Sequence, residues 1–209
     1  MPLHVPPVPA PALRSVLTAL GSPTAVREAP TPALRSAQGP LSPELPLPLH
    51  VLDAPEVLAA PALLDGAEAA PHTRLTGWRF TISAGERMVA AADTMLTADG
   101  WAFSRFFEGP YVTATERALR QAEVLHTAYQ PRLLSVPGLY MLTLWLHQDT
   151  DADPATGAVA PGDLLVPLAP APPGFAAHRP HRAAELLPVI GLRLAPAPLA
   201  PAPLLRTPV

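Results

Sequence analysis

Residues 77–107 read GWRFTISAGERMVAAADTMLTADGWAFSRFF, and this stretch decides the fold. Residues 77–83 alternate. Trp78, Phe80 and Ile82 fall on one side and Arg79, Thr81 and Ser83 on the other, the two-residue period of a half-buried strand. Ala84-Gly85-Glu86 turns the chain, and residues 87–97, rich in Val, Ala, Thr and Met, make a second strand. Asp99-Gly100 marks a hairpin, because both central positions of a type I′ turn need φ > 0. Residues 101–107 form a third strand with Trp101, Phe103 and Phe107 on one side. Three antiparallel strands in a meander is the simple reading.

On the C-terminal side a helix is expected. Thr113-Ala114-Thr115-Glu116 fits a capping box, in which hydroxyl and carboxylate satisfy free backbone donors. Ala118, Leu119, Ala122, Leu125 and Tyr129 form a stripe at helical spacing, and Pro131 ends the helix. Glu116 and Arg120 make a favourable i,i+4 pair. Residues 139–147 then read as a strand apolar on both faces. Tyr140, Leu142, Leu144 and Leu146 face one way, Leu139, Met141 and Trp145 the other, so the strand demands cover on both sides. A polar loop leads to a partner strand at 163–168, and residues 185–194 make a further short element containing Pro188.

Proline sets the expected boundaries. Of 31 prolines, 15 lie in residues 1–75, 12 in residues 156–209 and four between. Proline removes a backbone donor and fixes φ, so it is expelled from element interiors. The expected fold class is therefore α+β: a small, mostly antiparallel sheet in the order βββ-α-ββ with one amphipathic helix on one face. Residues 72–194 form that core. Residues 1–71 are expected to be disordered or loosely docked, with short helix-compatible pieces at 13–20 and 54–64, and residues 195–209 to be a Pro/Ala-rich tail. Leu-Ala-Pro-Ala-Pro occurs at 168–172, 194–198 and 199–203, a composition that favours polyproline II.

Composition narrows the function classes. The chain has no Cys, Lys or Asn, and 14 Arg stand against 17 acidic residues for a net charge of −3. Nucleic acid is not the expected partner, since no basic footprint is present. Thiol catalysis, disulfides and Cys-ligated metals are excluded. No run reaches the ~18 apolar residues of a membrane helix, and the N-terminus lacks the pattern of a signal peptide. A cytoplasmic protein without membrane contact is expected.

Few motifs carry chemistry. Asp149, Asp151 and Asp153 are spaced like the first ligands of a calcium loop, with His147 nearby as a possible fourth. Pro154 stands where that loop needs Gly, and Ala160 where it needs a bidentate Glu, so an acidic, solvated hairpin loop is preferred and no metal is assigned. His178 and His181 flank Pro180, which argues against a helix presenting both to a metal. No nucleophile elbow, Walker loop or dinucleotide fingerprint occurs.

The aromatic residues Trp78, Phe80, Trp101 and Phe103, with Trp145, are the candidate interaction face. They either form the core under the helix or receive a Pro-rich segment of this chain, a protein partner or a second subunit. A non-enzymatic interaction or structural module is the first reading, with no cofactor. A small hydrolase is the second, and it requires His126, His147, Glu108 or an Asp of the 149–153 loop to converge in one pocket. A weak divalent-metal module is the third.

Overall fold

Alternating aromatic and polar residues make a strand here, as their period requires. In the computed structural model, which describes residues 3–52 and 73–195, Arg74–Ala84 is such a strand, and it has neighbours on both sides. The strands are β1 (Leu41–Val51), β2 (Arg74–Ala84), β3 (Arg87–Thr97), β4 (Gly100–Phe107), β5 (Gln130–Val136), β6 (Met141–His147), β7 (Leu164–Pro167) and β8 (His181–Arg182). They form one sheet in the order β4-β3-β2-β1-β5-β6-β7-β8. All pairs are antiparallel except β1 with β5. The helices are α1 (Ala10–Leu20), α2 (Pro23–Glu28), α3 (Pro32–Arg35), α4 (Pro110–Ala122) and α5 (Ala183–Leu194).

This corrects the expected fold class. The sheet is not small but an eight-stranded mixed sheet, still mostly antiparallel, and the described residues carry five helices instead of one. The proline-rich stretch before residue 52 is the source of the difference, because it supplies α1–α3 and β1. The boundary expected between residues 71 and 72 thus separates two neighbouring strands of one sheet. The expectations for 53–71 and for the tail beyond residue 195 lie outside the described residues.

Prolines enter β1 because one of its sides is mostly open. Leu41, Ser42, Pro43, Glu44, Leu47 and Pro48 all pair with β2, but only Leu49, His50 and Val51 pair with β5. A strand with one open side needs an N–H toward its partner at every second residue only, and Pro46 falls in the bulge between Glu44 and Leu47. Pro131 of β5 lies beyond the three paired positions in the same way. Two half-sheets are therefore joined through three residue pairs of β1 and β5.

Each half has its own core. Trp78, Phe80 and Ile82 of β2 pack with Ala90, Ala92 and Phe106 against Ala12, Val16 and Leu34 of α1 and α3. In the other half β5, β6 and β7 are covered on both faces, as the pattern of β6 demands. Leu142, Leu144 and Leu146 meet Ala114, Ala118 and Leu119 of α4. Met141 and Trp145 meet Leu186, Leu187 and Ile190 of α5. Leu47 packs with the α4 cluster and pairs with Arg79, so the Arg79 face of the sheet is the α4 face.

Two details of register differ from the sequence reading. Asp93 pairs with Arg105 and Thr94 with Phe103, so Ser104 is an extra residue. The bulge shifts the alternation, leaving Trp101, Phe103 and Phe106 on the helix-covered face and Phe107 on the opposite one. The capping box at Thr113–Glu116 is not used. The helix starts four residues earlier, at Pro110, which has no N–H to leave unsatisfied, behind Gly109 at φ 129°. It ends at Ala122, and Pro131 belongs to β5. The Glu116–Arg120 pair forms at 2.8 Å. No helix among the described residues is long and apolar enough to cross a membrane.

Candidate functional site

Polar side chains collect in two places, one on each face of the sheet. The first is buried beneath the loop between β6 and β7. Arg132 and Gln130 of β5, His50 of β1 and Trp145 and His147 of β6 share one face by alternation, and Asp163 precedes β7. Arg132, His50 and Asp163 are fully buried. Asp163 accepts four hydrogen bonds: from Trp145 Nε1 at 2.7 Å, His147 Nδ1 at 2.8 Å, and the amides of Gln148 and Ala160 at 3.0 Å. Burial alone raises its pKa, but these donors hold it below the usual carboxylate range.

The same network ties down the loop. The Arg132 guanidinium lies 4.8 Å over the Trp145 ring and donates to Gln130 Oε1 and to the carbonyls of Asp153 and Thr156. Burial draws its pKa down to about 10, with Asp163, Asp153 and Asp149 opposing, so it stays a cation at neutral pH. Gln130 Nε2 donates to the carbonyls of Thr150 and Ala152. Gly157 allows the loop to close, since a Cβ there would strike the Thr73 carbonyl.

His50 completes the network as a neutral imidazole. Its Nε2 lies 2.9 Å from the Pro154 carbonyl, which only accepts, so Nε2 carries the hydrogen and Nδ1 accepts from the Thr73 hydroxyl at 2.8 Å. Burial lowers its pKa to about 4, with Arg132 and His147 adding to the effect against the Pro154 bond. As pH falls below 6.5, the unfolded chain takes up a proton that the native ring refuses. Stability is therefore lost from pH 6.5 down to about 4 and levels off once the native ring also protonates. The expected loss from this group is about 3 kcal/mol. Urea midpoints at pH 7 and pH 4.5 measure it. His50→Gln should flatten the difference, and an unchanged pH slope in that variant contradicts the assignment.

The second place is an open cleft of about 460 Å³ on the α4 face, between the end of β4, the start of α4 and the β5–β6 turn. Arg79 and Phe107 form its floor. Asp93 holds Arg79 through two bonds of 2.8 and 3.0 Å, and the guanidinium lies 4.5 Å from the Phe107 ring centroid. Arg105 flanks the same ring at 5.4 Å, reaches Asp93 only at 3.8 Å, and leaves 67% of its side chain exposed. Two cations thus share one carboxylate. Tyr140 stands at the rim, 91% exposed, with φ 51° and ψ 36°. That left-handed conformation is costly for a residue with a bulky side chain. Tyr111 fixes it, its hydroxyl lying 2.9 Å from the Tyr140 carbonyl and 3.0 Å from that of Pro170.

The residues singled out from sequence are scattered by this arrangement. Trp78 and Phe80 are buried under α1–α3, so the chain's own N-terminal helices cover them. Trp101 and Phe103 lie at the margin of that core, half-buried, with Phe103 and Phe106 rings 4.6 Å apart. Trp145 is on the other half-sheet under α5. The five therefore do not make one surface.

Nor do the candidate acids and bases meet. His147 faces Asp163, but no hydroxyl bonds to its second ring nitrogen among the described residues. His126 is exposed beyond α4, and a Glu108 carboxylate oxygen accepts from the Ala33 amide at the start of α3. Asp149 and Asp153 accept from the amides of Asp151 and Ala155, closing their own turns with all three carboxylates exposed. Among the described residues no group of three or more His, Asp or Glu is placed to hold a metal ion. His178 sits in the β7–β8 connection at φ 61°, and His181 pairs with Leu165 in β8.

The cleft was missed from sequence. Its signals were present in Phe107, placed on the wrong side by the unseen bulge, and in Tyr140, read as a strand residue. No protein-family model, curated protein or solved structure matches the chain.

Proposed function

We propose that the protein is a non-enzymatic cytoplasmic interaction module that takes an extended, proline-rich segment of a protein partner in the cleft at Phe107, Tyr111 and Tyr140. The observation that carries this reading is Tyr140, held in a strained conformation yet almost fully exposed at the rim. Strain that secures no packing of its own side chain points to a role outside the folded chain.

The lining suits that ligand. A polyproline II segment has no internal hydrogen bonds, so its carbonyls seek donors and its rings seek aromatic faces. Arg105 offers exposed guanidinium donors, and Phe107, Tyr111 and Tyr140 offer rings beside Pro110 and Pro137. The opposite network is spent internally, since His50, Gln130 and Arg132 all bind loop carbonyls. That weighs against the hydrolase reading.

The test is calorimetric titration of the full chain with a synthetic peptide of two Leu-Ala-Pro-Ala-Pro units. Tyr140→Ala and Arg105→Ala should each weaken binding about tenfold, roughly 1.4 kcal/mol, while His126→Ala leaves it unchanged. Equal affinity in all variants, or no heat even when the chain carries Pro198→Gly, Pro201→Gly and Pro203→Gly in its own proline-rich tail, overturns the proposal.

A further inference from the structure

We infer that the cleft's resident ligand is the chain's own segment 196–209, which competes with proline-rich partners for the same surface; this rests on the reading of the cleft as a proline-rich peptide site. The exit point of the chain is the first argument. Leu194, the last residue of α5, packs so closely on Gly138 that a Cβ there would lie 2.6 Å from Leu194 Cδ2. Gly138 sits in the turn Pro137–Leu139, and Pro137 and Tyr140 both line the cleft. The chain therefore leaves the described fold against the β5–β6 turn, on the α5 face, with the cleft on the other side of that turn.

Length and composition are the second. Residues 196–209 read PAPLAPAPLLRTPV, with Pro198 and Pro201 three apart. As polyproline II, 14 residues span about 43 Å at 3.1 Å each, far more than rounding the β5–β6 turn requires. Tethering is the third. A segment attached beside its site is held at an effective concentration in the millimolar range, so weak intrinsic affinity suffices for occupancy.

The chain contains no cysteine, so Thr207→Cys accepts a single nitroxide label in the full-length protein. Amide relaxation at Glu108 and Tyr111, across the cleft from the exit point, is then compared between two tails. One is native in sequence. The other carries Pro198→Gly, Pro201→Gly and Pro203→Gly and is tethered identically. The inference expects at least fivefold stronger relaxation with the native tail, reversed by excess Leu-Ala-Pro-Ala-Pro peptide. Equal relaxation from the two tails overturns it. If the free peptide still shifts the Tyr111 and Tyr140 resonances in that case, the peptide site stands and only its self-occupancy falls. If the peptide shifts neither, both readings fall.

Discussion

Asp163→Ala is expected to destabilise the protein by about 4 kcal/mol, the range seen when one partner of a buried charged network is removed. Asp163 is fully buried and satisfies two side-chain and two backbone donors, all of which are orphaned together. The buried Arg132 cation also loses the negative charge that most favours it. Against a total stability of ~5–15 kcal/mol for a typical domain, this leaves little margin. Asp163→Asn should cost less than Asp163→Ala, because its oxygen can still accept from Trp145, His147 and Ala160 while its amide nitrogen faces only the Gln148 N–H, though the negative charge is lost. Urea unfolding followed by tryptophan fluorescence measures both. A loss under 1 kcal/mol for Asp163→Ala would mean that the network is not formed as described.

Trp78→Ala is the second large effect, with an expected loss of about 3–5 kcal/mol from the cavity left in a dense core. Trp78 is fully buried between β2 and the N-terminal helices. Its indole N–H has no acceptor among the described residues, so the ring contributes packing without a hydrogen bond. Trp78→Phe should therefore cost much less than Trp78→Ala, since it keeps most of the ring and removes an unpaired donor. Hydrogen exchange adds the location. Trp78→Ala should deprotect residues 10–35 more than β5 and β6, because α1–α3 rest on that ring and the second half-sheet does not. Uniform deprotection of both halves contradicts the division into two cores.

The strands β2, β3, β4 and β6 were legible because their alternation is local and their turns carry Gly. The two-sided cover of β6 was legible for the same reason. What was not legible depends on neighbours that sequence spacing does not show. Pro43, Pro46 and Pro48 argue against a central strand unless one knows that the β5 side of β1 is open over most of its length. Pro131 hid β5 in the same way. The bulge at Ser104 moved Phe107 to the face opposite Trp101, and with it the cleft. His50, Arg132 and Asp163 are far apart in sequence, and only the parallel pairing of β1 with β5 and the folding back of the 148–162 loop bring them together. The carboxylates of the acidic loop are exposed, but its inward backbone, held by Gln130 and Arg132, carries no sequence signal.

The most direct test is hydrogen exchange across the full chain carrying Pro198→Gly, Pro201→Gly and Pro203→Gly, so that its own tail does not compete, with and without saturating Leu-Ala-Pro-Ala-Pro peptide. Added protection is expected at residues 105–111 and 137–142, with the loop over His147 and Asp163 unchanged. Protection gained at the 148–163 loop in place of the cleft would contradict it, and would move the binding surface to the opposite face of the sheet.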